Sequence, residues 1–237
     1  MSAAARISAS IDQSHLERYH DDAGFFGFFD SLDDEDVAKA LFEKAEAWCK
    51  KKGSKVIRGP LSLNINEELG CLIDGFDAPP TILMGHHTSY QGDLIARCGY
   101  DKLKDFYAWR YDFAELHPRA ARGHQQISEL PEVTSRTVNM KDFASEVRLI
   151  MGVYNDAWSD NWGFVPLTER ELDKMAKDLK MIMMPELTRL VYIDGDIAAV
   201  SLGVPNINEV LKSAGGKLSP VTIAKLLWWL KVKGPES

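Results

Sequence analysis

The chain has 237 residues, enough for one large core or two small ones, with 45% hydrophobic and 27% charged residues, ordinary for a folded soluble protein. Its formal net charge of −7 weighs against a general nucleic-acid or anionic-membrane binder, and no cluster of aromatic and basic residues was found to offset it. Residues 1–12 carry no apolar core of a secretory signal, and the apolar run LLWWL at residues 226–230 is too short to span a bilayer.

Taken in order, residues 5–11 (ARISASI) alternate apolar and small polar side chains and predict a strand. Residues 15–22 read as a polar turn. The run GFFGFF at residues 24–29 is too continuous for a strand with one wet face. It predicts a strand buried on both faces, its glycines allowing close approach of a neighbour. A helix follows, with Asp33, Asp34, Glu35 and Asp36 crowding its first turn and Asp33 as N-cap. Its apolar face is Val37, Leu41, Ala45 and Trp48, and it ends on Lys50, Lys51, Lys52 and Gly53. Residues 55–63 predict a third strand, interrupted at Gly59-Pro60, so residues 24–63 read as a βαβ crossover with two parallel strands. A polar loop, a helix over residues 89–98 and a fourth strand over residues 103–111 complete this unit. The first sheet is then expected to have four strands, from residues 5–11, 24–29, 55–63 and 103–111.

Residues 115–131 change composition, with Pro118, Gly123, Pro131, His117 and His124, and predict a linker. Beyond it, residues 133–138 suit a strand. A stripe of Phe143, Val147, Ile150, Met151, Tyr154 and Trp158 predicts a core-facing helix. Thr168 and Glu171 form a capping box opening another helix. Asp194-Gly195 between two apolar runs predicts a type I′ hairpin. Residues 206–214 suit a short helix, and Ser219-Pro220 caps the last one.

The candidate chemistry is sparse. Asn64, Asn66, Glu67 and Glu68 follow a predicted parallel strand, where α/β sheets present ligand groups. Glu67 or Glu68 suits a general base for an amine, with Tyr90 as general acid. The same residues also suit a helix start, with Asn66 as the cap. Trp158, Asn161 and Trp162 form an aromatic and amide-bearing loop suited to lining a small-molecule cleft or to closing a core. His86-His87 has no carboxylate or thiol at ligand spacing, so no metal is expected. Cys49, Cys71 and Cys98 are widely spaced and fit reduced thiols in a cytosol, giving a cytoplasmic expectation.

The blocks RISASID, AGFFGFFD, RGPLSLNINEELGCLIDGFDAPP, YNDAWSDNWGFVPLTEREL and LGVPNINEVL resemble bacterial tandem members of the GNAT N-acyltransferase superfamily over nearly the whole chain. The resemblance implies a mixed α/β GNAT-like fold in two half-domain units. Residues 1–113 would be the C-terminal part of a first unit, 114–131 a linker, and 132–237 the N-terminal part of a second. It implies acyl transfer from acyl-CoA, such as acetyl-CoA, to a small amine or peptide, with no nucleic-acid or membrane partner. A non-catalytic pseudo-acyltransferase that binds a ligand or partner is the alternative. It further implies sequence missing at both ends. Unfinished edges beside residues 5–11 and near Trp228 and Trp229 would then favour self-association. The segment matching the family's glycine-rich pyrophosphate loop is DSLDDEDV at residues 30–37. It has no glycine and four consecutive acids, which would repel a pyrophosphate. The residues that hold the cofactor stay unknown.

Overall fold

The computed structural model describes residues 5–82, 84–111, 116–215, 217 and 219–233. It is a mixed α/β protein with two three-stranded sheets and eight α-helices among the described residues, compatible with a GNAT-like acyltransferase fold. The chain divides into two compact units, Met1–Phe106 with Asn161–Pro166, and Tyr107–Asp160 with Leu167–Ser237.

The first unit holds β1 (Ala5–Ser10), α1 (Gln13–Tyr19), β2 (Ala23–Ser31), α2 (Glu35–Lys51), β3 (Val56–Arg58) and α3 (Gln91–Arg97). The sheet order is β1-β2-β3, with β1 antiparallel and β3 parallel to β2. The βαβ crossover through α2 is therefore present. The central strand is buried on both faces, as its aromatic run predicts. Phe25 joins Ala23 and Leu61 on one face; Phe26 and Phe29 meet Phe42 of α2 and Leu94 of α3 on the other.

Phe26 and Phe29 share a face because a bulge shifts the register between Arg6 and Ser8 of β1. Phe28 takes a φ of 45° at that point and turns outward, 42% exposed, although a regular strand would bury it beside Phe26. Gly27 is required here: a Cβ would lie 2.2 Å from the carbonyl oxygen of Leu61.

Local details depart from expectation. The predicted turn at residues 15–22 overlaps α1, which is capped by the Asp12 side chain on the His15 N–H. Asp34, one residue beyond the expected cap, accepts from the Asp36 and Val37 N–H groups. The buried face of α2 is Ala38, Phe42, Ala45 and Cys49, while Trp48 lies outside beneath Lys52. The third strand stops at Arg58, before the cis Gly59-Pro60 bond.

Residues 103–111 form no strand, because no described strand offers them a ladder; Tyr107 and Trp109 stay exposed. The first sheet accordingly has three strands rather than four. Residues 118–128 of the expected linker form α4 (Pro118–Ser128), with Pro118 in its first turn and His117 capping the Arg119 N–H. Residues 112–115 lie outside the described residues.

The second unit adds β4 (Val133–Thr137), α5 (Phe143–Trp158), α6 (Glu169–Ile182), β5 (Thr188–Ile193), β6 (Asp196–Leu202), α7 (Asn208–Ser213) and α8 (Pro220–Trp228). Its sheet is antiparallel in the order β4-β5-β6. Asp194 and Gly195 both take positive φ in the expected hairpin. Its core joins Phe143, Val147, Ile150 and Met151 to Leu172 and Leu190. Among the described residues no helix is long and apolar enough to cross a membrane.

Candidate active site

Beyond β3 the chain folds into a closed loop instead of the helix start that Asn66 was expected to cap. Leu61 N–H reaches the Phe26 carbonyl at 2.7 Å, and Ser62 N–H reaches the Glu68 carbonyl at 2.9 Å. An isolated bridge pairs Leu61 with Leu69, and Gly70 N–H closes on the Pro60 carbonyl at 2.8 Å. Ser62 Oγ accepts the N–H of the bulged Phe28 at 3.1 Å. Inside the loop Asn64 Oδ1 accepts the Asn66 N–H at 2.9 Å. This is a local turn of the kind that competes with helix.

The asparagines thereby have architectural tasks. Asn66 Nδ2 donates to the Val165 carbonyl at 3.0 Å, holding residues 161–166 against this loop. Gly163 lies over Ile65, where a Cβ would meet the Ile65 Cδ1 at 2.6 Å. The Tyr19 hydroxyl donates to the Phe164 carbonyl at 2.9 Å. Trp162 is 41% exposed, edge-on to Phe106 and beneath the Lys104 ammonium. Asn161 N-terminally opens the turn that closes on Phe164 N–H. Trp158 belongs to the second unit, where it stacks on Tyr154.

Of the three groups with acid–base chemistry, Glu68 has a titratable neighbour. Its carboxylate lies 3.6 Å from His87 Nε2, in ion-pair range and longer than a good hydrogen bond. His87 Nδ1 accepts the Leu72 N–H at 3.1 Å, so the neutral ring carries its proton on Nε2, facing Glu68. Burial pulls the His87 pKa below its usual value, and the Glu68 carboxylate, acting the other way, only partly offsets this. The imidazole is thus a neutral ring held by Leu72, facing a half-exposed carboxylate. Gly85 makes the approach possible: a Cβ there would lie 2.6 Å from Glu68 Oε1 and 2.7 Å from His87 Cε1.

Glu67 is exposed, and its N–H reaches the Asn64 carbonyl at 3.3 Å. The Tyr90 hydroxyl donates to the Ser31 carbonyl at 2.8 Å, beside Gln91, whose Nε2 donates to the Phe29 carbonyl at 2.9 Å. Both side chains tie α3 to the end of β2.

Two groupings were not foreseen. The first is His87 beside Glu68, whose 19-residue separation gives no sequence signal. The second is His15, Asp21 and Arg58. His15 is buried, with Nε2 3.2 Å from both Asp21 oxygens, and Arg58 Nη1 forms a short ion pair with Asp21. Partial burial raises the Asp21 pKa, but the hydrogen bonds from Arg58 and His15 outweigh it and hold the carboxyl below its ordinary value. The Cys71 thiol is pushed up to about 11 by burial, and burial also raises Cys49 and Cys98. Among the described residues no group of three or more His, Cys, Asp or Glu could hold a metal ion.

No family model and no solved structure matches the chain. It is similar to Protein YghO of Escherichia coli (strain K12), 42% identical over 231 residues, which are 97% of this chain and 59% of that protein. It is also similar to the bacterial ceramide synthase of Caulobacter vibrioides (strain NA1000 / CB15N), 41% identical over 235 residues, 98% of this chain and 61% of that protein. The chain spans about three fifths of the length of these curated relatives.

Proposed function

We propose that this chain is part of a cytoplasmic N-acyltransferase, one that forms an amide on an amine acceptor, and that Glu68 receives the proton the amine gives up. The observation that carries the reading is the 41% identity to a bacterial ceramide synthase over 98% of the chain. Ceramide is a fatty amide of a long-chain amino alcohol, so a lipid amine leads the acceptor classes, ahead of a small amine or a peptide. At neutral pH an amine is protonated and cannot attack a carbonyl until a base removes that proton. Glu68 offers a half-exposed carboxylate for this, with the His87 Nε2 3.6 Å away.

Acyl-CoA as donor belongs to the same proposal, but the start of α2 does not fit its pyrophosphate. Asp34 occupies the Asp36 and Val37 N–H groups, and Arg97 is engaged by Asp33 and Glu35. No step is assigned to the donor there. This misfit also favours a second reading, a non-catalytic module that binds an amine or a partner.

The test is amide formation by the purified chain with a panel of acyl-CoA donors and amine acceptors, read by mass spectrometry. Glu68→Gln is expected to lower turnover by about 10²–10⁴-fold. Equal turnover in Glu68→Gln and the parent would remove Glu68 from the reaction. No amide from any pair, together with an acceptor-dependent rise in melting temperature, would leave the binding module as the correct reading.

A further inference from the structure

The last helix of the second unit is apolar on both sides. Ser219 Oγ caps it through the Thr222 N–H at 3.2 Å, and Thr222 and Trp229 turn inward and are buried. The opposite side should then be polar, as on an ordinary surface helix. It is not: Val221 is 66%, Ile223 41%, Leu227 36% and Trp228 57% exposed. At 100° per residue, Val221, Ala224 and Trp228 form the centre of that outward side, Ile223 and Leu227 flank it, and Lys225 borders it. Val232, just beyond, is also exposed.

The charge pattern says what covers this face. From Val210 to Lys233 the sequence holds five lysines, at 212, 217, 225, 231 and 233, and no acidic residue, in a chain whose total is −7. Glu209 closes the run on its upstream side. An outward aliphatic and tryptophan surface bordered by Lys225, in a segment rich in lysine and free of acids, is the pattern of a helix that lies in a membrane interface. There the apolar side chains enter the acyl boundary and the lysines meet anionic headgroups. A second copy of the chain fits worse. A two-fold contact would place this patch on itself and bring its lysines against their own copies.

We infer that α8 docks this protein on an anionic lipid surface, lying flat on it through Val221, Ile223, Leu227 and Trp228, with Lys225 on the headgroups and the lysine-rich segment around it adding to the attraction. The whole-chain charge pointed away from membranes because it averages over this local segregation. The inference stands on α8 alone and does not depend on acyl transfer.

The experiment is flotation of the full chain with phosphatidylcholine vesicles containing about 30% phosphatidylglycerol and with pure phosphatidylcholine vesicles. The expected result is binding to the first and little to the second, weakened as salt rises from about 0.1 to about 0.5 M. Lys225→Glu should lower the partition coefficient about tenfold, and Val221→Glu and Trp228→Ala at least about fivefold each. All three positions are exposed, so circular dichroism and melting temperature should stay at parent values. Quenching by brominated lipid should fall in Trp228→Phe. Three results would overturn the inference: no binding to either vesicle, variants that bind like the parent, or a solution dimer that Val221→Glu dissociates without any vesicle binding.

Discussion

A partly buried neutral imidazole makes stability depend on pH, and the sign follows from its cause. Burial lowers the His87 pKa in the folded chain, so the unfolded chain binds more protons at mildly acidic pH. His87 therefore contributes stability that is fully present above the unfolded value of about 6.5 and is lost as pH falls toward the folded value. The melting temperature should drop between about pH 7 and about pH 5, and His87→Gln should flatten that drop. An unchanged slope in the variant would place the titration elsewhere. Gly85→Ala offers a second handle on the same pair, since its Cβ must displace either the Glu68 carboxylate or the His87 ring. It should shift the histidine titration seen by NMR while costing little stability, because the Glu68 end is flexible. Asp21 acts in a separate window. Its lowered pKa adds stability above about pH 4, lost as pH falls through the folded value. Arg58→Ala leaves Asp21 without its guanidinium beside a buried His15, and should cost about 2 kcal/mol in denaturant unfolding at neutral pH.

Elements with strong local chemistry were legible in the sequence, and those defined by a distant partner were not. The α6 capping box is present: Glu171 N–H reaches Thr168 Oγ1 at 3.4 Å, and the Thr168 N–H reaches the Glu171 carboxylate at 2.8 Å. Thr168→Ala should cost about 1 kcal/mol. The β5–β6 hairpin, the βαβ crossover and the α5 stripe as far as Tyr154 likewise follow from local signals; Trp158, the last residue expected on that core face, is instead 50% exposed. The buried face of α2 lies one position on from the expected one, with Ala38, Phe42 and Cys49 inward where Val37, Leu41 and Trp48 are expected. Residues 103–111 have strand-like composition, but a strand also needs a ladder. For α4, Pro118 was read as a linker mark when it is the first residue of a helix. At the candidate site, the carboxylate of Glu68 was legible as a side chain placed just after β3. Its approach to His87 was not, because the closed loop and the 19-residue separation hide it. The close approach of Gly27 was anticipated, and it gives the strongest element-scale expectation. Gly27→Ala forces a Cβ against the backbone of Leu61 and should cost more than about 2 kcal/mol, read as a lower denaturation midpoint. A midpoint within error of the parent would mean that β2 and the Leu61 backbone separate freely.

Across the whole molecule the charge is divided rather than spread. Five lysines between Val210 and Lys233 in a chain of net −7 leave −12 for the remaining residues. Facing an anionic membrane, the two parts act with opposite sign and over different ranges. The lysines of residues 210–233 attract it, whereas the acidic remainder repels it, and a repulsion that acts from beyond the Debye length is the first to be screened. Screening separates them. At about 0.01 M salt the Debye length is about 30 Å, so repulsion from the acidic remainder reaches the surface and opposes docking. At about 0.1 M it falls to about 10 Å, which silences the distant acids and spares the nearby lysines. At about 0.5 M the lysine contacts are screened as well. Vesicle binding should therefore pass through a maximum near 0.1 M rather than decline steadily from the lowest salt. Lys225→Glu should lower the maximum, while neutralising acids remote from α8 should raise the low-salt side alone. A steady decline from 0.01 M would show that the acidic remainder does not act on docking, and a salt-independent partition would show that apolar insertion acts without the lysines.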